Sequence, residues 1–578
     1  MTNYYKKGNR LLWFLFFLLW SVFSFSQHAT FKKGVKQGSV KVKFSGQLTQ
    51  TLRKMSVSKG DKLLTGIQAF DKVSAKVGAK KMQRLFPENP NPRLEAKLRK
   101  HKLDLWYVVD IDINQNPQEV VLQYKGIADI QIAETEKEKV LSDYSFEKIN
   151  LENSSKVTSA SYFNDPSLGD QWHYNNTGQT GYTDGSDINL FKAWDVVKGN
   201  PNIIVSIHDE GVDIEHPDLK DNIWTNQAEL NGIPGVDDDG NGYKDDIHGW
   251  NFDTNSGNID PQSHGTHVAG TIAAVNNNGI GVCGVAGGSG NNDGSKVMSL
   301  QCLGGGGFER SYIFAADNGA VISQNSWGYT SPGNFDESVK DAINYFVAEA
   351  GDYPNSPMKG GIVIFAAGNS NSDSDWYPGH YENTLSVSSI GPNWIKASYS
   401  NYGTWVDIAA PGGETSLGAK NGVLSTLPKS QYGFYQGTSM ACPHVSGIAA
   451  LALANRKSQL TPELLRSKLL TGVVDIDIHN PEYVGKLGSG LIDTFLAIQN
   501  NEGLAPIAIK DVTLTGIAQE FANLTWTVPT DADDTKPVDY RIYYSTSPIT
   551  SNNLSAASFD IIKSSALPGT MLSHTVRL

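Results

Sequence analysis

NIIVSIHDEGVD, residues 202–213, gathers Ile203, Ile204, Val205 and Ile207 into a short apolar run that stops at Asp209. Closed by Gly211, such a run predicts a strand buried on both faces. GIVIFAAGN, residues 361–369, repeats the arrangement and ends at Asn369. Helical stretches alternate with these runs. One spans 266–274, just after His264 in HGTHVAG; another runs from Ser439 in GTSMACPHVSG to about Ala454, with Pro443 placed in the first turn, where a missing N–H is tolerated. Alternating strands and helices predict an α/β fold: a mostly parallel sheet with helices on both faces. In such sheets ligands collect beyond the carboxyl ends of the strands, so Asp209 and Asn369 are expected at one edge.

Three polar residues in these strings form a chemical set. A serine hydroxyl is a poor nucleophile at neutral pH; it needs an imidazole to take its proton and a carboxylate to fix the imidazole tautomer. Ser439, His264 and Asp209 supply the three groups. Ser439 also opens a helix, whose dipole favours negative charge developing there. The order Asp…His…Ser, with HGTHVAG and GTSMACPHVSG, resembles the subtilisin-like serine proteases over roughly residues 160–500. The resemblance implies Asp209 as orienting acid, His264 as general base and Ser439 as nucleophile. Asn369 and the Ser439 N–H would then hold the oxyanion; in subtilisin itself, removing the asparagine donor costs roughly 10²–10³ in turnover.

One departure from the family pattern is Glu210, which follows Asp209 where Ser or Thr is usual. Kexin-like relatives carry an acid there. A second carboxylate close by is expected to alter the pH dependence more than the activity. His267 lies one turn after His264, but no Glu sits between them as a zinc-protease helix requires, and the resemblance gives His267 a structural role. Cys442, three residues after Ser439, is read as a bystander.

Ser326, Trp327 and Gly328 in QNSWG resemble the segment that binds substrate backbone, where a peptide adds as an extra strand. Trp376 resembles the floor of the primary specificity pocket, which its bulk would make shallow. The loop 237–246 (DDDGNGYKDD) carries Asp237, Asp239, Asn241 and Asp245 and starts like a calcium loop, with His248 where the closing Glu would stand. A second calcium candidate, Asp218 with Asn278, resembles the family's strong site. Structural Ca2+ is therefore the expected cofactor.

The flanks divide the chain further. Lys6, Lys7 and Arg10 precede an apolar run from Leu11 to Trp20, and Ser24 and Ser26 follow, which reads as an export leader over 1–26. Residues 27–157 read as a small α+β unit resembling a subtilase propeptide, a folding template and inhibitor. Its elements are a strand near Val40–Phe44, helical spacing from Gly66 to Leu85, a strand from Leu103 to Ile113, a helix opened by Pro117 and a strand near Ile127–Ile132. The charged stretch from Glu134 to Lys156 reads as a solvated linker, with cleavage near 157–165. The peptidase unit occupies 158–503. Residues 504–578 alternate at strand period around Trp526 and Val538–Ser545, as in a partial fibronectin type III-like sandwich; that fold needs about seven strands.

A formal net charge of −12 argues against a nucleic-acid partner. Cys283 and Cys302 pair in an oxidising compartment or stay as buried thiols; the sequence leaves both open. These readings together give a secreted or cell-surface endopeptidase, monomeric, made as a zymogen, with protein or peptide substrates and its own propeptide as inhibitor, and no membrane span once the leader is removed. The rivals are a catalytically silent adhesion protein on the same fold and a peptide acyl transferase, in which an amine replaces water.

Overall fold

Along the strand Ile362–Ala366, side chains sort to two sides in this computed structural model: Ile362, Ile364 and Ala366 enter one core, Val363 and Phe365 another. The structure describes residues 31–32, 34–48, 52, 63–141, 145–149, 162–304, 307–499, 508–518, 521–530, 539–549, 558–563 and 566–577. The expected leader lies outside these residues, as do residues 157–161 of the expected cleavage region.

Among the described residues the central sheet has nine strands. Their order is Gly249–Asn251, Lys296–Gln301, Ile204–Asp209, Ile322–Asn325, Ile362–Ala366, Leu385–Ile390, Ile408–Pro411, Leu491–Ile492 and Val473–Val474. Neighbours run parallel except the last pair. The helices Ser263–Ala273 and Thr438–Ala454 contribute to one core, and Phe308–Asp317 and Glu337–Glu349 to the other. The expected α/β class is observed. The helix Thr438–Ala454 is apolar all round because it is buried all round, from Thr438 to Leu453. The cores also separate two cysteines: Cys283 belongs to the first and Cys302 to the second, and both are free thiols.

Pro443 departs from the expected first-turn position. The helix begins at Thr438, so Pro443 lies inside it and cannot donate to the carbonyl four residues back, that of Ser439. The Ser326 hydroxyl donates to that carbonyl instead, at 2.9 Å.

The amino-terminal unit is a four-stranded antiparallel sheet in the order Lys81–Arg84, Trp106–Asp110, Ser39–Phe44, Ile130–Glu134. One face carries a core of Val40, Val42, Phe44, Phe70 and Tyr124 under the helices Gln68–Lys76 and Pro117–Lys125. The helical spacing expected from Gly66 to Leu85 thus ends at Lys76, and the chain turns into a strand at Lys81. The other face packs on the α/β domain. Trp106 is fully buried in one core with Phe308, Tyr312 and Phe346, and its Nε1–H donates to Asp341 at 2.8 Å. Lys43 reaches the same carboxylate at 2.6 Å.

In its described residues, 134–141 and 145–149, the stretch expected as a solvated linker pairs with the α/β domain instead; 142–144 and 150–156 lie outside the described residues. Lys139–Leu141 pairs antiparallel with Trp327–Tyr329, and Ser145–Ile149 pairs antiparallel with Gln431–Gln436. Glu134 is itself buried and accepts from the amides of Glu337 and Ser338 at 2.7 and 3.1 Å, capping the helix Glu337–Glu349 from another part of the chain. Glu134, Lys137 and Lys139 find buried partners some two hundred residues away, which local composition does not encode.

Beyond 508, Thr513–Ala518, Phe521–Thr527 and Met571–Arg577 form one antiparallel sheet and Asp539–Tyr544 with Ser558–Lys563 a second. The Trp526 and Tyr540 rings, 5.1 Å apart, join them. Among the described residues no helix is long and apolar enough to cross a membrane.

Trp106→Ala removes the largest apolar anchor of the amino-terminal unit. In a Ser439→Ala background, which keeps the chain whole, it is expected to cost about 3–5 kcal/mol, read as a lower melting midpoint. An unchanged midpoint would remove Trp106 from the docking interface.

Candidate active site

Three adjacent strands deliver three polar groups to one edge of the sheet. Asp209 ends the strand Ile204–Asp209, Ser326 follows Ile322–Asn325 directly, and Asn369 lies three residues past Ile362–Ala366. Two helices that pack against each other bring the rest: His264 in Ser263–Ala273 and Ser439 in Thr438–Ala454.

The imidazole is fixed from one side. His264 Nδ1 lies 2.9 Å from each carboxylate oxygen of Asp209, so it donates there and Nε2 is left as the base. Both side chains are buried. Burial pushes the His264 pKa down, but the Asp209 charge and hydrogen bond, with the Glu210 charge behind them, raise it above its ordinary value of 6.5. Gly265 is required here: a Cβ would stand 2.4 Å from the Gly211 carbonyl oxygen and 3.2 Å from Asp209 Oδ1.

Glu210 has a role that the sequence reading missed. Its Oε1 accepts from the His264 backbone N–H at 2.9 Å, so it caps the helix carrying the imidazole. Burial, and secondarily the Asp209 charge, raise its own pKa.

The Ser439 hydroxyl donates to the Ser326 carbonyl at 3.3 Å. Asn369 is oriented by its oxygen, which accepts from the Thr438 N–H at 2.9 Å and the Thr438 hydroxyl at 2.8 Å. That directs the amide nitrogen towards Gly437. A Cβ built on Gly437 would sit 3.2 Å from Asn369 Nδ2 and 3.6 Å from Ser439 N. Two nitrogens, Asn369 Nδ2 and Ser439 N, therefore border the space that glycine leaves open, at a φ of +148° that side chains disfavour. Donors so placed can hold a developing oxyanion.

Neighbouring candidates resolve differently. Cys442 is buried against Gln324 Oε1 at 3.3 Å, and burial pushes its thiol up to about 12, which removes it as a nucleophile. His267 donates from Nε2 towards the carbonyls of Val423 and Gly433 and stacks on Tyr435; burial takes its pKa down to about 3. It braces the helix from within. Trp376 borders a cavity of about 220 Å3 together with Trp327, Gly328, Gly368 and Asn369. Val140 and Leu141 border the same cavity.

The acidic loop gathers with one residue absent from the sequence reading. Glu229, Asp237 and Asp239 bring carboxylate oxygens within 4.8 Å of one another. Asn241 Nδ2 lies 3.1 Å from Asp239 Oδ2 and from Asp246 Oδ2. Burial pushes Asp246 up to about 7. Asp245 turns away: both its oxygens lie 2.9 Å from the Gly235 N–H. At the second candidate, Asp218 is fully buried, accepts from Asn278 Nδ2 at 2.7 Å and from the Val282 N–H at 2.9 Å, and is pushed up to about 7 by burial. Asp165 adjoins it through the amides of Asn277 and Asn278. The gathered carboxylates of Glu229, Asp237 and Asp239 are hard oxygen donors of the kind Ca2+ takes, whereas Asn241 and Asn278 turn amide nitrogens to the carboxylates beside them.

The imidazole must be neutral to act as base, so activity is expected to fall as pH drops through a pKa above 6.5. Glu210→Gln keeps an oxygen for the helix cap and removes a negative charge near the ring. It should move the acid limb of the kcat/KM profile to lower pH, measured on one peptide across pH 5–9; a stationary limb would uncouple Glu210 from the imidazole.

Comparison with known proteins follows this geometry. The Subtilase family's sequence profile matches residues 200–490. A thermophilic serine proteinase of Bacillus sp. (strain AK1) is 32% identical over 297 residues, which cover 50% of this chain and 62% of that protein. Thermitase of Thermoactinomyces vulgaris is 32% identical over 274 residues, covering 46% of this chain and 80% of thermitase. The chain thus spans less than two thirds of the Bacillus proteinase. Among solved structures, fervidolysin from Fervidobacterium pennivorans aligns over 94% of this chain and 70% of its own, with a TM-score of 0.53 and 20% identity, a likeness of fold. With its α/β sheet, its strand-end acid and its serine helix, the chain belongs to the Subtilase family.

Proposed function

We propose that this chain is a secreted serine endopeptidase made as a zymogen, with Ser439, His264 and Asp209 as its triad. The observation that carries the reading is the pairing of both Asp209 oxygens with His264 Nδ1 beside the two N–H groups converging at Gly437. In the proposed cycle Ser439 Oγ attacks the scissile carbonyl and its proton passes to His264 Nε2. The tetrahedral oxyanion is held by Ser439 N–H and Asn369 Nδ2. His264 returns the proton to the leaving amine, and water then hydrolyses the acyl-enzyme with the same base. Ser326, Trp327 and Gly328 bind the substrate main chain as an added strand, and Trp376 limits the pocket beside them.

The amino-terminal unit, 27–157, acts as inhibitor. Support comes from Lys139–Leu141, which takes the place of a substrate strand along Trp327–Tyr329. The chain pairs again from Ser145, along Gln431–Gln436, the strand that leads into Gly437. We therefore assign the first self-cleavage to the peptide bonds between Leu141 and Ser145, upstream of the 157–165 region expected from sequence. Residues 1–26 are the export leader and 504–578 a fibronectin type III-like attachment. Ca2+ bound by Glu229, Asp237 and Asp239, with Asn241 at the edge, and by Asp218 with Asn278, supplies charge neutralisation and no catalytic step.

Expression of wild type beside Ser439→Ala tests the reading. Only wild type should shed its amino-terminal unit and hydrolyse peptides, with inhibition by a serine-directed reagent; equal shedding by both would assign maturation to another enzyme. Chelation of the processed enzyme should lower its melting midpoint, and added Ca2+ should restore it; at a hundredfold excess over Kd the stabilisation is about 2.7 kcal/mol. Asp237→Asn should shrink that difference, and an identical midpoint with and without chelator would remove the calcium assignment.

A further inference from the structure

The segment seated in the cleft carries information about which peptides fit there. Lys139, Val140 and Leu141 lie opposite Tyr329, Gly328 and Trp327. A peptide bound in this register and continued by one residue sets that residue opposite Ser326, whose carbonyl oxygen lies 3.3 Å from Ser439 Oγ. Cleavage after it makes the position held by Lys139 the fourth residue on the amino-terminal side of the cut.

The surroundings of the Lys139 side chain are built for a cation. Its ammonium lies 5.2 Å from the Phe308 ring centroid and 5.8 Å from that of Tyr329. It also lies 3.3 Å from Asp336 Oδ2, with the lysine side chain 6% exposed and the aspartate fully buried. Aromatic faces attract a cation through their quadrupole, and the carboxylate adds a charge-assisted bond. The wall is held in place from within the α/β domain, because the Asp336 N–H donates to the Tyr329 hydroxyl at 3.1 Å. Glu309 stands next to it. Burial pushes its carboxyl up, but Lys41 and, secondarily, Lys139 outweigh that and hold it well below the ordinary range.

Among the described residues, the cations within 4 Å of the Asp336 carboxylate all come from the amino-terminal unit: Lys41 at 3.9 Å, Lys137 at 2.8 Å and Lys139 at 3.3 Å. When that unit leaves, these three charges leave with it, and Glu134, which caps the helix beside Asp336, goes too. A sheltered carboxylate then flanks the cleft, with no cation paired to it from the described residues of its own domain. An aliphatic side chain entering there covers the carboxylate without pairing it, which is unfavourable. A lysine or arginine restores one of the lost partners.

We propose that Asp336, with Phe308 and Tyr329 as aromatic walls and Glu309 behind, forms a subsite that selects a basic side chain at the fourth residue before the cut. The inference rests on the proposed peptidase function and names its substrate class. Full-length protein, incubated until its amino-terminal unit is shed, is assayed on peptides identical except for Lys, Arg, Ala, Leu or Glu at that position. Lys and Arg should raise kcat/KM about tenfold over Ala and Leu, the effect of roughly one charge-assisted contact, and Glu should be the poorest. The Lys-to-Ala ratio should shrink towards one in Asp336→Asn and should fall with added salt. Wild type that cuts the Ala or Leu peptide as well as the Lys peptide overturns the subsite while leaving the peptidase reading intact, whether or not the variant folds. Wild type that cuts none of the peptides overturns both.

Discussion

Pro443 leaves the carbonyl of Ser439 without the amide it would meet in an uninterrupted helix, and the Ser326 hydroxyl takes that place. The Ser439 hydroxyl in turn donates to the Ser326 carbonyl. Two bonds in opposite directions thus tie the start of the serine-bearing helix to the end of the strand Ile322–Asn325. That strand sits between the ones ending at Asp209 and Ala366. A helix pinned there carries its first turn against Asn369 and Gly437, so the proposed oxyanion donors and nucleophile would be positioned by the same constraint. A buried carbonyl left unpaired costs about 1–3 kcal/mol, so loss of the Ser326 hydroxyl would disturb the helix entry as well as the cleft.

The parts of the site that were legible in the sequence are those fixed by short-range pattern. Apolar runs ending at Asp209 and near Asn369 announced strand ends, and Gly-rich strings before helices announced His264 and Ser439. Pairing over long distances left no such mark. Glu210 was visible as an anomaly, but its bond to the His264 amide spans a gap that only the fold closes. Glu229 joins the acidic loop from an earlier helix, while Asp245, inside the loop, faces Gly235 instead. Pro443 is the sixth residue of a helix that starts at Thr438, so it lies past the first turn, where its missing N–H leaves a carbonyl that the sequence does not show to be met by Ser326. The difference over the described part of 134–156 has the same origin: a run of charges is normally solvated, and here Lys137 and Lys139 share the buried Asp336 carboxylate of the α/β domain.

That matching has energetic consequences. Lys41 is fully buried and bonded to Glu309, and the Asp336 carboxylate meets three lysines. Removing one partner of a buried ion pair costs about 3–5 kcal/mol, whereas the intact pair contributes little net stability. The charges therefore act less as adhesive than as a registration device. They penalise any docking of the four-stranded sheet that slides Lys41, Lys137 or Lys139 off its carboxylate. Affinity comes instead from the apolar face around Trp106, Leu98 and Leu103, which shares a core with the helices beneath it.

On the proposed reading, the division between apolar affinity and polar register would let one cleft hold an inhibitor and still release products. The amino-terminal unit and a substrate place the same kind of strand along Trp327–Tyr329, so strand pairing alone cannot distinguish them. Only the unit adds the apolar face of Leu98, Leu103 and Trp106, which extends the contact from the strand Trp327–Tyr329 to the helices Phe308–Asp317 and Glu337–Glu349. On that reading the surface would retain the unit after the connecting peptide is cut, while a cleaved substrate, held by strand pairing without this apolar face, would dissociate.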